Sequence, residues 1–200
     1  MAMGKLRITA LVENTAGGDG LLGEHGLSLL AETAGRRILL DCGGGATIRH
    51  NARALEAPLS AVDTIALSHG HYDHSGGLNA VLTETHLPVV RAHPAALESK
   101  YVCRNGRARK VGLRNASPTR LRAASGDLVL ATGPADLGDG LLLTGEIPRV
   151  TEYEDTGGPF YADPDCFCPD TLPDDQALVI DTAEGLVVLL GCAHAGVVNT

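Results

Sequence analysis

The 200-residue chain is 44% apolar and 20% charged, with 25 glycines, which is a globular composition rather than a disordered or fibrous one. A chain of this length can bury ~70% of its unfolded surface, so its core needs no disulfide staples. The formal net charge of −8 disfavours nonspecific nucleic-acid binding, and no apolar run approaches the ~18 residues that cross a bilayer.

Aromatic residues make up 3%, with no Trp, so Leu, Val, Ile and Ala must build the core. Met1 to Asn14 shows no charged leader, apolar h-region or small-residue cleavage site, which predicts a protein that is not secreted. Five cysteines, an odd number at irregular spacing, predict reduced thiols and a cytoplasmic address.

Lys5 to Asn14, Gly26 to Glu32 and Arg36 to Asp41 read as successive strands, the last two joined by a hairpin through Thr33-Ala34-Gly35-Arg36. Ala46 to Ala57 has helical spacing, with Ile48, Ala52 and Leu55 on one face and Pro58 just beyond. Val62 to Ser68 is a buried strand that runs directly into a histidine-rich segment. A short helix over Gly77 to Thr83, a strand over Pro88 to Ala92 and a helix over Pro94 to Ser99 follow. Tyr101 to Ser125 lacks a pattern and is expected to be an irregular excursion. Strands resume at Leu128 to Ala131, Leu141 to Thr144, Ala177 to Asp181 and Leu186 to Leu190. Glu152 to Asp175, rich in Asp, Pro and Gly, reads as a long loop, and loops of that length are usually functional or disordered. The turn, strand and Cys of Thr33 to Cys42 echo those of Thr182 to Cys192, which would suit two related halves.

Between Ser99 and Gly126 stand eight basic residues and no acid, half of the chain's Lys and Arg. Solvated surface loop is the plainer expectation. The alternative is that arginines such as Arg104 and Arg109 grip a phosphate.

The chemistry concentrates in Ser68-His69-Gly70-His71-Tyr72-Asp73-His74. In extended chain His69 and His71 point the same way, Gly70 lets the backbone curl, and a turn swings Asp73 and His74 towards a neighbouring point. Packing imidazoles and a carboxylate side by side has no stabilising logic without a cation. The donor set suits Zn, Fe, Mn or Ni better than Mg or Ca, and two ions roughly 3.5–4 Å apart would activate water and clamp an oxyanion.

This segment matches the H-x-H-x-D-H signature and resembles the metallo-β-lactamase fold superfamily, with Asp41-Cys42-Gly43 as the family's early turn. Val12-Glu13-Asn14-Thr15, Glu24-His25-Gly26-Leu27-Ser28, Thr144-Gly145-Glu146-Ile147-Pro148-Arg149, Asp174-Asp175-Gln176-Ala177-Leu178 and Gly191-Cys192-Ala193-His194 narrow the likeness. They are similar to the subgroup named for dihydropterin–aminobenzene-ribofuranosyl-phosphate synthase. The resemblance implies an α/β fold, an αββα sandwich forming one domain over 1–200. Its N-terminal half spans about 1–100, the basic excursion 101–125 and a partial C-terminal half 126–200.

It also implies one or two divalent transition-metal ions, zinc foremost with iron or manganese as alternatives. His69 and His71 go to the first ion, Asp73 and His74 to the second, and Asp73 also orients the attacking water. His194 follows its strand as the cluster follows Val62 to Ser68, and is expected to close the first site. Glu146 and Cys192 are further candidate ligands, and Asp41 a partner that orients the ligand turn. Relatives continue past the Gly-Cys-Ala-His turn to a last His, whereas this chain stops at Thr200, so an incomplete second half is expected.

The implied function is a metal-dependent hydrolase or synthase-like enzyme acting on a small, phosphorylated substrate. The alternative is a non-catalytic metal-binding remnant or half of a split enzyme. Neither nucleic acid nor membrane is an expected partner, and uncovered apolar surface would favour a homo-oligomer. Cys166-Phe167-Cys168 is a weak metal signal. Gly43-Gly44-Gly45 is no P-loop, and His25 and His93 are expected to be structural.

Overall fold

Alternation and Gly-bounded apolar runs in the first forty residues become three antiparallel strands: β1 (Arg7–Val12), β2 (Ser28–Glu32) and β3 (Arg37–Leu40). The computed structural model describes residues 6–114, 117–154 and 157–200. Lys5 at the head of the first expected strand, 115–116 in the basic segment and 155–156 in the long loop lie outside them.

Helix α1 (Ile48–Ala54) leads back to β4 (Thr64–Ala66), which pairs parallel with β3. Two short helices follow, α2 (Tyr72–Ser75) and α3 (Leu78–Leu82), and then β5 (Val89–Ala92), parallel to β4. The expected helix after it is one turn of 3-10 helix, Pro94–Leu97.

The basic excursion is not irregular. It forms a hairpin of β6 (Tyr101–Arg104) and β7 (Arg107–Lys110) and a helix, α4 (Pro118–Ala124), capped by the Ser117 hydroxyl. The chain then returns through β8 (Asp127–Leu130), parallel to β5, and completes a six-stranded sheet in the order β1-β2-β3-β4-β5-β8.

A second, antiparallel sheet contains β9 (Ala135–Gly138), β10 (Leu141–Leu143), β12 (Leu178–Thr182) and β13 (Gly185–Leu189), ordered β13-β12-β10-β9. Between them the described residues of the long loop contribute β11 (Phe160–Tyr161), which adds to β6.

The parallel strands bury both faces, as strands covered on either side must. Leu39 and Ile65 pack under helices with Ile48, Leu78, Val81 and Leu121. Ile38, Leu40 and Ala66 point the other way and meet Leu137, Leu141, Leu178 and Ile180 of the second sheet. This is the expected sandwich, with the helices outside the first sheet. On the second sheet's outer side Leu186 is 68% and Val188 43% exposed. Among the described residues no helix is long and apolar enough to cross a membrane.

Candidate metal centre

The chain enters the centre at the carboxyl ends of β3 and β4, the edge where open α/β sheets place their ligands. Asp41, just past β3, has φ 61, a left-handed conformation that Asp tolerates better than most residues. Its buried carboxylate accepts from the Ser68 backbone N–H at 2.7 Å and from the Ser68 hydroxyl at 2.6 Å. It also lies 2.6 Å from His74 Nδ1. Gly70 is required next, because a Cβ there would run into the Ala96 carbonyl. His71 is the N-cap residue of α2, and that turn carries Asp73 and His74.

Three imidazoles come together. His69 Nε2 is 3.0 Å from His71 Nδ1, and two nitrogens on a tetrahedral zinc at 2.0–2.1 Å would stand about 3.3 Å apart. The rings of His69, His71 and His194 meet edge-on in all three pairs, with centroids 4.6–5.1 Å apart and interplanar angles of 75–89°. One ligand atom from each lies within 4.8 Å of the others. His194 reaches them from beyond β13, as expected. His69, His74 and Cys192 form a second group under the same limit. Within it, Cys192 Sγ is 3.1 Å from His74 Nε2. Asp73 stands at the margin, its Oδ2 3.7 Å from His74 Nε2 and 3.3 Å from His25 Nε2.

Electrostatics sort the two groups. Burial holds His69, His71 and His194 below the usual imidazole range, with neighbouring imidazoles adding to the effect; His71 falls to about 4. They are therefore neutral and present lone pairs. Burial also opposes a charge on His74, but the Asp41 carboxylate and its hydrogen bond outweigh it and raise His74 to about 11. The buried His194 Nε2 has no hydrogen-bond partner among the described residues. The buried Nε2 of His71 is likewise without a partner, and neutral lone pairs packed against one another, two of them orphans, fit a divalent cation and little else.

A strap absent from the site expected on sequence grounds fixes this arrangement. Asp174 Oδ2 accepts from Gly70 N–H at 2.7 Å, and Asp175 Oδ2 from Ala195 N–H at 2.7 Å. Gln176 donates its side-chain amide to the Leu67 carbonyl at 2.8 Å and its backbone N–H to the Ser68 carbonyl at 2.9 Å. Lys100, placed by composition on a solvated surface, is buried instead. Its Nζ donates to Asp174 Oδ1 at 2.8 Å and Asp170 Oδ2 at 2.9 Å. Phe160 forms one wall, its ring 4.6 Å from that of His71 and 5.3 Å from that of His194. In the sequence Asp174-Asp175-Gln176 stood out only as a segment of the subgroup likeness, with no role attached, and nothing local marked Phe160.

Other expectations need correction. Glu146 is exposed and belongs to neither ligand group. Cys103 and Cys166 form a disulfide, so the thiols are not all reduced and Cys166-Phe167-Cys168 is not a free ligand pair; Cys42, Cys168 and Cys192 remain free. The odd count misled because one pair and three single thiols also sum to an odd number. His25, expected to be structural, has its side chain 69% exposed beside Asp73. His93 is buried and its Nδ1 accepts from Ala95 N–H, but its Nε2 has no hydrogen-bond partner among the described residues, so it is not the satisfied histidine expected.

Residues 22–159 match the family profile described as Metallo-beta-lactamase superfamily. The chain is 29% identical over 205 residues to the 7,8-dihydropterin-6-methyl-4-(beta-D-ribofuranosyl)-aminobenzene-5'-phosphate synthase of Methanocaldococcus jannaschii, covering 97% of this chain and 70% of that protein. It is 32% identical over 194 residues to an uncharacterized protein of the same organism, covering 96% and 71%. Among solved structures, Tm1679, described as a metal-dependent hydrolase of the beta-lactamase superfamily, aligns with TM-score 0.77 and 28% identity over 98% of this chain and 69% of its own. A metallo-beta-lactamase of Cronobacter sakazakii shares the fold at TM-score 0.52 and 17% identity, over 82% and 52%. A profile that takes in both the histidine turn and the strands that carry it, together with this shared fold, settles the kinship: the chain belongs to the metallo-beta-lactamase superfamily.

Proposed function

We propose that the chain is a metal-dependent hydrolase of a small, phosphorylated ester, holding one or two divalent transition-metal ions, zinc foremost. His69, His71 and His194 would hold the first ion, and Asp73, His74 and Cys192 the second. The observation that carries this reading is the edge-on convergence of three neutral imidazoles, two of them with an orphaned nitrogen. When bound, such ions make water acidic and draw charge from a leaving oxygen.

The chain's own residues supply the rest. Asp73, with 13% of its side chain exposed, sits at the margin of the cluster and orients the attacking water. Asp41 fixes the His74 ring through Nδ1, so that Nε2 faces the site. Phe160 shields the His71 and His194 rings from water, which strengthens the electrostatic interactions beneath it. Asp174 holds Gly70, and with it the spacing of His69 and His71.

The likeness to a protein named as a synthase supports a second reaction class, group transfer rather than hydrolysis, using the same donors. Zinc content and hydrolysis of bis-p-nitrophenyl phosphate test the principal reading, with His71→Ala expected to lose both. Tightly held zinc without turnover of any ester would instead support a non-catalytic metal-binding protein.

A further inference from the structure

The basic segment separates into groups with different surroundings. Lys100 is taken up by Asp170 and Asp174, and four more cations sit on the exposed β6–β7 hairpin. Arg114 differs: its guanidinium carbon lies 4.6 Å from the centre of the Tyr72 ring. Tyr72 stands between His71 and Asp73, and its N–H donates to the Val111 carbonyl at 2.8 Å. A bridge between His71 and Gly112 holds the same segment against the histidine turn.

Stacking uses the face of a guanidinium and leaves its in-plane N–H groups available. Among the described residues Arg114 makes no ion pair and donates no hydrogen bond, although the chain carries an excess of acid. The nearby Asp73 carboxylate is directed at His25 and His74. An exposed arginine held over Tyr72, with free donors and beside the histidine turn, is built to receive an oxyanion.

We propose that Arg114, stacked on Tyr72, binds the phosphoryl group of the substrate and so positions the scissile bond over the His69–His74 cluster. The inference rests on the hydrolase reading and adds the residue that recognises the charged end. A two-pronged guanidinium contact matches phosphate geometry better than a lysine would, so charge alone should not replace it.

The test is titration of phenyl phosphate into the zinc-loaded protein, followed by calorimetry. Wild-type protein should bind, and Arg114→Ala should weaken binding about tenfold or more. Arg114→Lys should recover only part of that loss, and Arg107→Ala on the hairpin should change little. Equal losses in Arg107→Ala and Arg114→Ala would reduce the effect to diffuse charge and overturn the proposal. So would unchanged binding in Arg114→Ala, no binding by the wild type, or tighter binding of malonate than of phenyl phosphate. Zinc content and p-nitrophenyl acetate hydrolysis, measured on the same samples, report on the hydrolase reading independently, because that ester carries no phosphoryl group.

Discussion

Asp41 and Cys192 take the two ring nitrogens of His74 from opposite sheets. Asp41 leaves β3 of the first sheet and lies 2.6 Å from Nδ1, while Cys192 leaves β13 of the second and lies 3.1 Å from Nε2. The sequence echo between Thr33–Cys42 and Thr182–Cys192 thus has a spatial counterpart, since the two hairpins deliver their ends to one imidazole.

Asp41→Asn removes the charge that orients His74 and keeps the shape of the side chain. The second ion should then bind about 10–100-fold more weakly, with the first ion on His69, His71 and His194 retained. Elemental analysis after dialysis against a graded chelator checks this, and simultaneous loss of both ions would contradict it.

The two ions should differ in proton release. At pH 7 His71, lowered to about 4, is already neutral, so filling the first position releases almost no proton. His74, raised to about 11, carries a proton that an ion must displace, and Cys192 must bind as thiolate, so this position should release at least one proton per ion. The second position should therefore gain affinity as pH rises, and the first should be flat near neutrality. Calorimetry in buffers of different ionisation enthalpy reads both; equal release at each step would refute the assignment.

Lys100→Met should strand Asp170 and Asp174 in the interior without their cation. Removing one partner of such a buried pair costs about 3–5 kcal/mol, measurable by urea denaturation. Lys100→Met combined with Asp174→Asn should recover part of that loss, because the neutral side chain can still accept from Gly70 N–H. A single mutant as stable as wild type would show that the pair contributes little.

Thiol chemistry checks the cysteine assignments. Denatured but unreduced protein should show three titratable thiols, since Cys103 and Cys166 are joined and Cys42, Cys168 and Cys192 are free. In native protein Cys42 should resist alkylation, being buried, and zinc should slow labelling of Cys192 but not of Cys168. Cys103→Ser should cost about 2–4 kcal/mol, through release of a loop whose ends are separated by 63 positions in sequence.

The sequence made local order legible and left remote order obscure. Strands β1 to β5 follow from apolar runs that must be buried, and His69 to His74 converge because they are neighbours in the chain. His194 could be placed because it leaves a strand as His69 does. The β6–β7 hairpin was missed because Arg107–Lys110 is exposed throughout and shows no apolar alternation. What anchors it lies far along the chain, in β11 and the Cys166 bridge. Lys100 reads as a surface cation for the same reason, since its partners lie 70 and 74 residues away.

Asp174, Asp175 and Gln176 grip a turn from each sheet through backbone groups of Gly70, Ala195 and Leu67, none of which is a ligand atom. Ordering of the socket is therefore completed during folding rather than at the moment of loading, unlike a zinc finger, which folds only around its metal. Chelation should leave the far-ultraviolet dichroism of the protein almost untouched, and zinc should return at a rate set by encounter rather than by refolding.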